Sequence, residues 1–147
     1  MIGFIITGHG SYASGIYEAM EMITGTQDKV KVISFLPGMT ADTYKNEIVA
    51  SINSLKKSVS EIVVFTDLLG GTPFKTVAEQ VIKENGIEVV SGTNLSMLIE
   101  GSILRLKMIS SQELANQLLK TGKDGIDILE LVSKNDEVDV EDFSVGI

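Results

Sequence analysis

The single histidine of the chain, His9, lies in the segment TGHGSYASG, between an apolar run and the first helical pattern. An imidazole with an ordinary pKa of about 6.5 offers a neutral, nucleophilic nitrogen near neutral pH, which suits it to accept a phosphoryl group. Gly8 and Gly10 let the backbone bend tightly and leave room for a bulky group on the ring. The amides that open the next helix carry partial positive charge and favour an anion there. A lone loop histidine more often just caps or packs; its place in a glycine-flanked turn between strand and helix is what favours chemistry here.

A second reactive segment reads FTDLLGGTPF. Asp67 closes an apolar run. A carboxylate that accepts a hydrogen bond from one imidazole nitrogen fixes the tautomer and frees the other nitrogen to attack. An aspartate in such a place also commonly starts a turn. Gly70, Gly71, Thr72 and Pro73 read as a second anion cradle at a helix start, with Thr72 at the N-cap and Pro73 in the first helical position. The Thr72 hydroxyl can donate to a phosphoryl oxygen or cap the helix, and the two roles compete. Leu68 and Leu69 fall in a loop that should be exposed. Beside a charged site they suggest a docking surface for a partner protein, the alternative being that they fold back on the core.

Other chemistries fit less well. GHGSYA at 8–13 matches the dinucleotide pattern G-x-G-x-x-A, but that fingerprint wants an acid near the end of the second strand, where Ser34, Phe35 and Leu36 stand. A Walker loop and a G-x-S-x-G elbow are absent. Histidine phosphatases need an arginine before the histidine and a second histidine; here Gly8 precedes it and no second one exists. With no cysteine, a thiolate metal site and a disulfide are excluded, and the lack of cysteine and of a second histidine argues against a zinc site.

The elements that must position these residues follow from periodicity. Residues 2–7 form a continuous apolar run, as in a strand buried on both faces. Helix signals follow from Ser11, with Ala13, Ile16, Met20 and Ile23 on one stripe and Gly25 as the stop. Residues 30–36 read as the second strand, ended by Pro37 and Gly38; Thr40 then caps a helix that buries Tyr44, Ile48, Ile52 and Leu55. The third strand is 61–66. The helix after it buries Phe74, Val77, Val81 and Ile82 and stops near Gly86. The fourth strand is 87–91, and Asn94 caps a helix through about Lys107. Ser110 with Glu113 forms a capping-box pattern that opens a helix to about Lys120, and 126–132 read as a fifth strand.

Four βα units imply an open, doubly wound α/β sheet of parallel strands in the order 2-1-3-4, with helices on both faces. Ligand chemistry in such sheets sits beyond the C-terminal strand ends, where the strand order reverses. Strands 1 and 3 meet there, about 4.8 Å apart, so His9 and Asp67 are expected within hydrogen-bond reach. A chain of 147 residues fits one domain, expected over 1–132, followed by an acidic tail at 133–147. No apolar run approaches the ~18 residues needed to cross a membrane, and no basic stretch precedes the first one, so a cytoplasmic location is expected. A net charge of -8 argues against nucleic acid and anionic membrane surfaces as partners.

The segments IGFIITGHGSYASG, EIVVFTDLLGGTPF at 61–74 and VVSGTNLSMLIE at 89–100, in this order and spacing, resemble the EIIA component of the mannose/fructose/sorbose family of the bacterial phosphoenolpyruvate-dependent sugar phosphotransferase system. The resemblance spans about residues 1–130. It implies a phosphotransferase in which His9 is the phosphorylated histidine, Asp67 the aspartate that orients it, and Thr72 the hydroxyl residue near the phosphoryl group. Gly10, Gly70 and Gly71 would line that group. It further implies HPr as phosphoryl donor, EIIB as acceptor, sugar uptake through a membrane permease that the protein meets only peripherally, and no metal or other cofactor. Family members are homodimers in which a C-terminal strand can exchange, and 126–132 would be that strand, antiparallel to the others. The chain ends too soon for a fused EIIB domain, so EIIB is expected as a separate protein. Two other readings compete: a nucleotide-binding module built on residues 8–13, and a regulatory relative that docks partners without carrying phosphate.

Overall fold

A computed structural model of the chain describes residues 1–82 and 84–129. Strands β1 (Gly3–His9), β2 (Val30–Phe35), β3 (Ile62–Thr66) and β4 (Ile87–Val90) pair in parallel in the order β2-β1-β3-β4. The two central strands are the continuous apolar runs. β3 is buried along its whole length and β1 everywhere but at His9, because each has a strand on either side and helices above and below.

Side chains alternate across the sheet, so each strand feeds two cores. Phe4, Ile6, Val63 and Phe65 face α1 (Tyr12–Thr24), α4 (Leu95–Leu104) and α5 (Ser111–Asp124), packing with Met20, Leu98, Leu114 and Leu118. Ile5, Ile33, Ile62 and Val64 face α2 (Ala41–Lys56) and α3 (Thr72–Val81), packing with Tyr44, Ile48, Leu55 and Val77. The expected α2 stripe of Tyr44, Ile48, Ile52 and Leu55 is buried throughout. Three helix starts carry the expected caps: Thr40 accepts from Thr43 N, Asn94 from Met97 N, and Ser110 and Glu113 cap reciprocally.

The structure corrects several details. Gly71, with φ −67° and ψ 168°, is the N-cap of α3, so the helix starts at Thr72 rather than Pro73, and the Thr72 hydroxyl is not the cap. Ile82 is 82% exposed: neighbouring helical positions point about 100° apart, so burying Val81 turns Ile82 outward. α4 stops at Leu104, short of Lys107, and α5 runs on to Asp124. Of the fifth strand expected at 126–132, residues 126–129 form no strand, and the rest, like the tail at 133–147, lies outside the described residues. No helix among the described residues is long and apolar enough to cross a membrane.

Candidate functional site

The registers of β1 bring the two reactive loops together. Thr7 lies opposite Thr66 on β3, and His9 lies opposite Phe35 on β2. His9 is therefore the last residue of β1, and Asp67 is the first residue past β3, at the same edge of the sheet. The strand order reverses between β1 and β3, so a crevice opens beyond their C-terminal ends at this point.

One carboxylate oxygen holds the histidine twice. Asp67 Oδ2 accepts the backbone N–H of His9 at 2.8 Å and faces its ring Nδ1 at 2.7 Å. The other oxygen, Oδ1, accepts Leu68 N–H at 2.8 Å. Burial pushes the Asp67 carboxyl up, but these donated hydrogen bonds outweigh it and hold the group below its usual pKa. An ionised carboxylate only accepts, so Nδ1 must carry a proton, and in the neutral ring the lone pair then lies on Nε2. The Asp67 side chain is 14% exposed and that of His9 46%, so the carboxylate is shielded while the ring is open to an incoming group.

The walls of the site come from three loops. Gly10, at φ +56°, makes the left-handed turn out of β1 and donates its N–H to Phe35 O at 2.9 Å. Gly70, at φ +75°, makes the corresponding turn between Asp67 and α3. Gly71 stands against the ring: a Cβ there would lie 3.0 Å from His9 Cε1. The start of α3 thus adjoins the ring edge that joins its two nitrogens. Thr72 is exposed at that start. Leu68 and Leu69 are 59% and 70% exposed and do not fold back on the core.

Sequence reasoning did not single out the opposite wall. The Phe35 ring stands edge-on to the imidazole, 5.9 Å between centroids, and beyond it Leu36, Pro37, Gly38 and Met39 line a cavity of about 250 Å³ that opens beside His9 and Gly10. Strand order held the available signal, since the loop after β2 must lie next to the loop after β1. Among the described residues no group of three or more His, Cys, Asp or Glu side chains is placed to hold a metal ion.

Comparison with known proteins agrees with this architecture. The chain is 34% identical over 116 residues to the sorbose-specific EIIA component of the PTS system of Lacticaseibacillus casei, covering 79% of this chain and 82% of that protein. It is 30% identical over 128 residues to the mannose-specific EIIAB component of Escherichia coli, covering 87% of this chain but spanning only 39% of that longer relative. The crystal structure of the phosphotransferase system component EIIA from Streptococcus agalactiae superposes with a TM-score of 0.76 at 34% identity, over 87% of this chain and 97% of that one. Residues 3–119 match the family described as PTS system fructose IIA component, a span that begins in β1, holds both reactive loops and ends in α5. A family match over residues 3–119 and a relative 34% identical over four-fifths of its own length give the chain its place among known proteins: it belongs to the EIIA components of the fructose and mannose PTS family.

Proposed function

We propose that the protein is a phosphocarrier that accepts a phosphoryl group on His9 Nε2 from the phosphohistidine of HPr and passes it to EIIB. The observation that carries this reading is the double hold of Asp67 Oδ2 on His9, which occupies Nδ1 and leaves the exposed edge of the ring to react. As the donor's phosphorus–nitrogen bond breaks, the bond to Nε2 forms. The Nδ1 proton stays in place, and the cationic charge of the phosphorylated ring sits against Asp67. The step is mainly positioning and stabilisation of oxygen charge, because phosphoryl transfer passes through a loose state.

The start of α3 supplies a fitting cradle. The first turn leaves the N–H groups of Thr72 and Phe74 without helical acceptors, Pro73 having none, and Gly71 keeps the backbone close to the ring. The Thr72 hydroxyl, released from capping, is available to a phosphoryl oxygen, with Gly10 and Gly70 shaping the two turns around it. Leu68 and Leu69 offer apolar contact to the partner proteins. On this reading the protein works in the cytoplasm, as a homodimer, and needs neither metal nor nucleotide.

The test is an intact-mass measurement after incubation with phosphoenolpyruvate, Enzyme I and HPr. One acid-labile phosphoryl group is expected on the wild type and none on His9→Ala. A wild type that gains no mass, or a variant that gains it equally, overturns the assignment.

A further inference from the structure

Tyr12, on the first turn of α1, is not used by the reaction as described, yet it is built into the aspartate's surroundings. A Cβ on Gly8 would lie 2.6 Å from Tyr12 Cδ1 and 3.0 Å from both Cγ and Oδ2 of Asp67. The tyrosine ring and the carboxylate therefore close over the same stretch of β1 backbone. The Tyr12 hydroxyl donates to the carbonyl of Thr93, in the loop after β4. Thr93 in turn donates twice to the carbonyl of Thr66, from its backbone N–H at 3.2 Å and its Oγ1 at 3.0 Å. Thr66 is the residue immediately before Asp67. Burial, with the charge of Asp67 adding to it, pushes the Tyr12 phenol up to about 12, so the hydroxyl remains a donor across the physiological range.

We propose that Tyr12 is a positioning residue for phosphoryl transfer, clamping the loop after β4 onto the backbone that carries Asp67 and so holding the carboxylate on His9 Nδ1. The proposal rests on the phosphocarrier reading. Tyr12 touches no reacting atom. Its ring and the carboxylate lie against the same side of Gly8. Its hydroxyl joins the strand-end loops of β1 and β4, between which Asp67 stands. Without that tie Asp67 has more freedom to turn, and His9 can carry its proton on Nε2, the tautomer that cannot attack through that nitrogen.

Tyr12→Phe removes the hydroxyl and keeps the ring. His9 is the only histidine, so nitrogen NMR of the full-length, histidine-labelled protein, recorded on the alkaline plateau of the ring's own titration, reads one tautomer equilibrium. The wild type is expected to hold the proton on Nδ1 and Tyr12→Phe to show a mixture, with transfer from phospho-HPr slowed about fivefold at unchanged KM, the scale of one lost hydrogen bond. Thr93→Val, which removes the Oγ1 donor to Thr66, is expected to shift the tautomer the same way and serves if Tyr12→Phe folds poorly. An unchanged tautomer in both variants overturns the proposal, even if transfer slows, because the tyrosine then acts through stability alone. A wild type that takes no phosphoryl group defeats the phosphocarrier reading instead, and the tautomer comparison still decides the role of Tyr12.

Discussion

Asp67 Oδ2 binds His9 at two points, the backbone N–H at 2.8 Å and ring Nδ1 at 2.7 Å, so a single oxygen fixes both where the histidine sits and how its ring is turned. Backbone and ring are held together, which removes the rotation that would otherwise exchange the two ring nitrogens.

Asp67→Ala is accordingly expected to slow phosphoryl transfer by up to about four orders of magnitude, the scale of losing a tautomer-fixing carboxylate, while the domain stays folded. Stopped transfer from phospho-HPr, with circular dichroism as the control for folding, checks this. Normal transfer in the variant would remove Asp67 from the mechanism.

The depressed pKa of Asp67 has a consequence for stability. Its carboxylate binds fewer protons in the folded state than in the unfolded one, so its contribution is fully present above the unfolded value of about 4 and is lost as pH falls through the lower folded value. Urea denaturation of the wild type and Asp67→Asn across pH 2 to 7 is expected to show a stability gap that is constant at the upper end and closes toward the acid end. A gap independent of pH would mean that the folded carboxylate is not held ionised.

Gly71→Ala tests the approach of the α3 start to the ring. Its φ of −67° suits alanine, so backbone strain is absent, but the new methyl would lie 3.0 Å from His9 Cε1 and 3.2 Å from Leu68 O. The imidazole resonances are expected to shift and transfer to slow about tenfold, with a stability change within about 1 kcal/mol.

Gly8→Ala is expected to be the harsher change. The methyl would meet Tyr12 Cδ1 at 2.6 Å and the Asp67 carboxylate at 3.0 Å, and neither can withdraw without breaking a hydrogen bond. A loss of about 1–3 kcal/mol in denaturant titration is expected, together with slowed transfer.

Leu68→Ser and Leu69→Ser probe partner docking. Both side chains are mostly exposed, so stability is expected to stay within about 0.5 kcal/mol of the wild type. The KM for phospho-HPr is expected to rise several-fold with kcat little changed. An unchanged KM would remove the two leucines from the interface.

The amino-acid sequence by itself determined the four strands and five helices of the described residues, though not every boundary, because continuous apolar runs and 3.6-residue stripes such as Tyr44, Ile48, Ile52 and Leu55 are local patterns with one economical way to be buried. It also singled out His9 and Asp67, since residue type and position at a strand end are readable without coordinates, and strand order then put them at one edge. The tertiary structure alone decided which carboxylate oxygen takes both bonds, that Gly71 rather than Thr72 caps α3, that Phe35 stands edge-on to the imidazole, and that Tyr12 reaches Thr93. These relations join side chains far apart in the chain, and their geometry depends on register, rotamers and the packing of several elements at once. No periodicity along one segment encodes a distance between two others, and for that reason the chemistry of the site was visible early and its support was not.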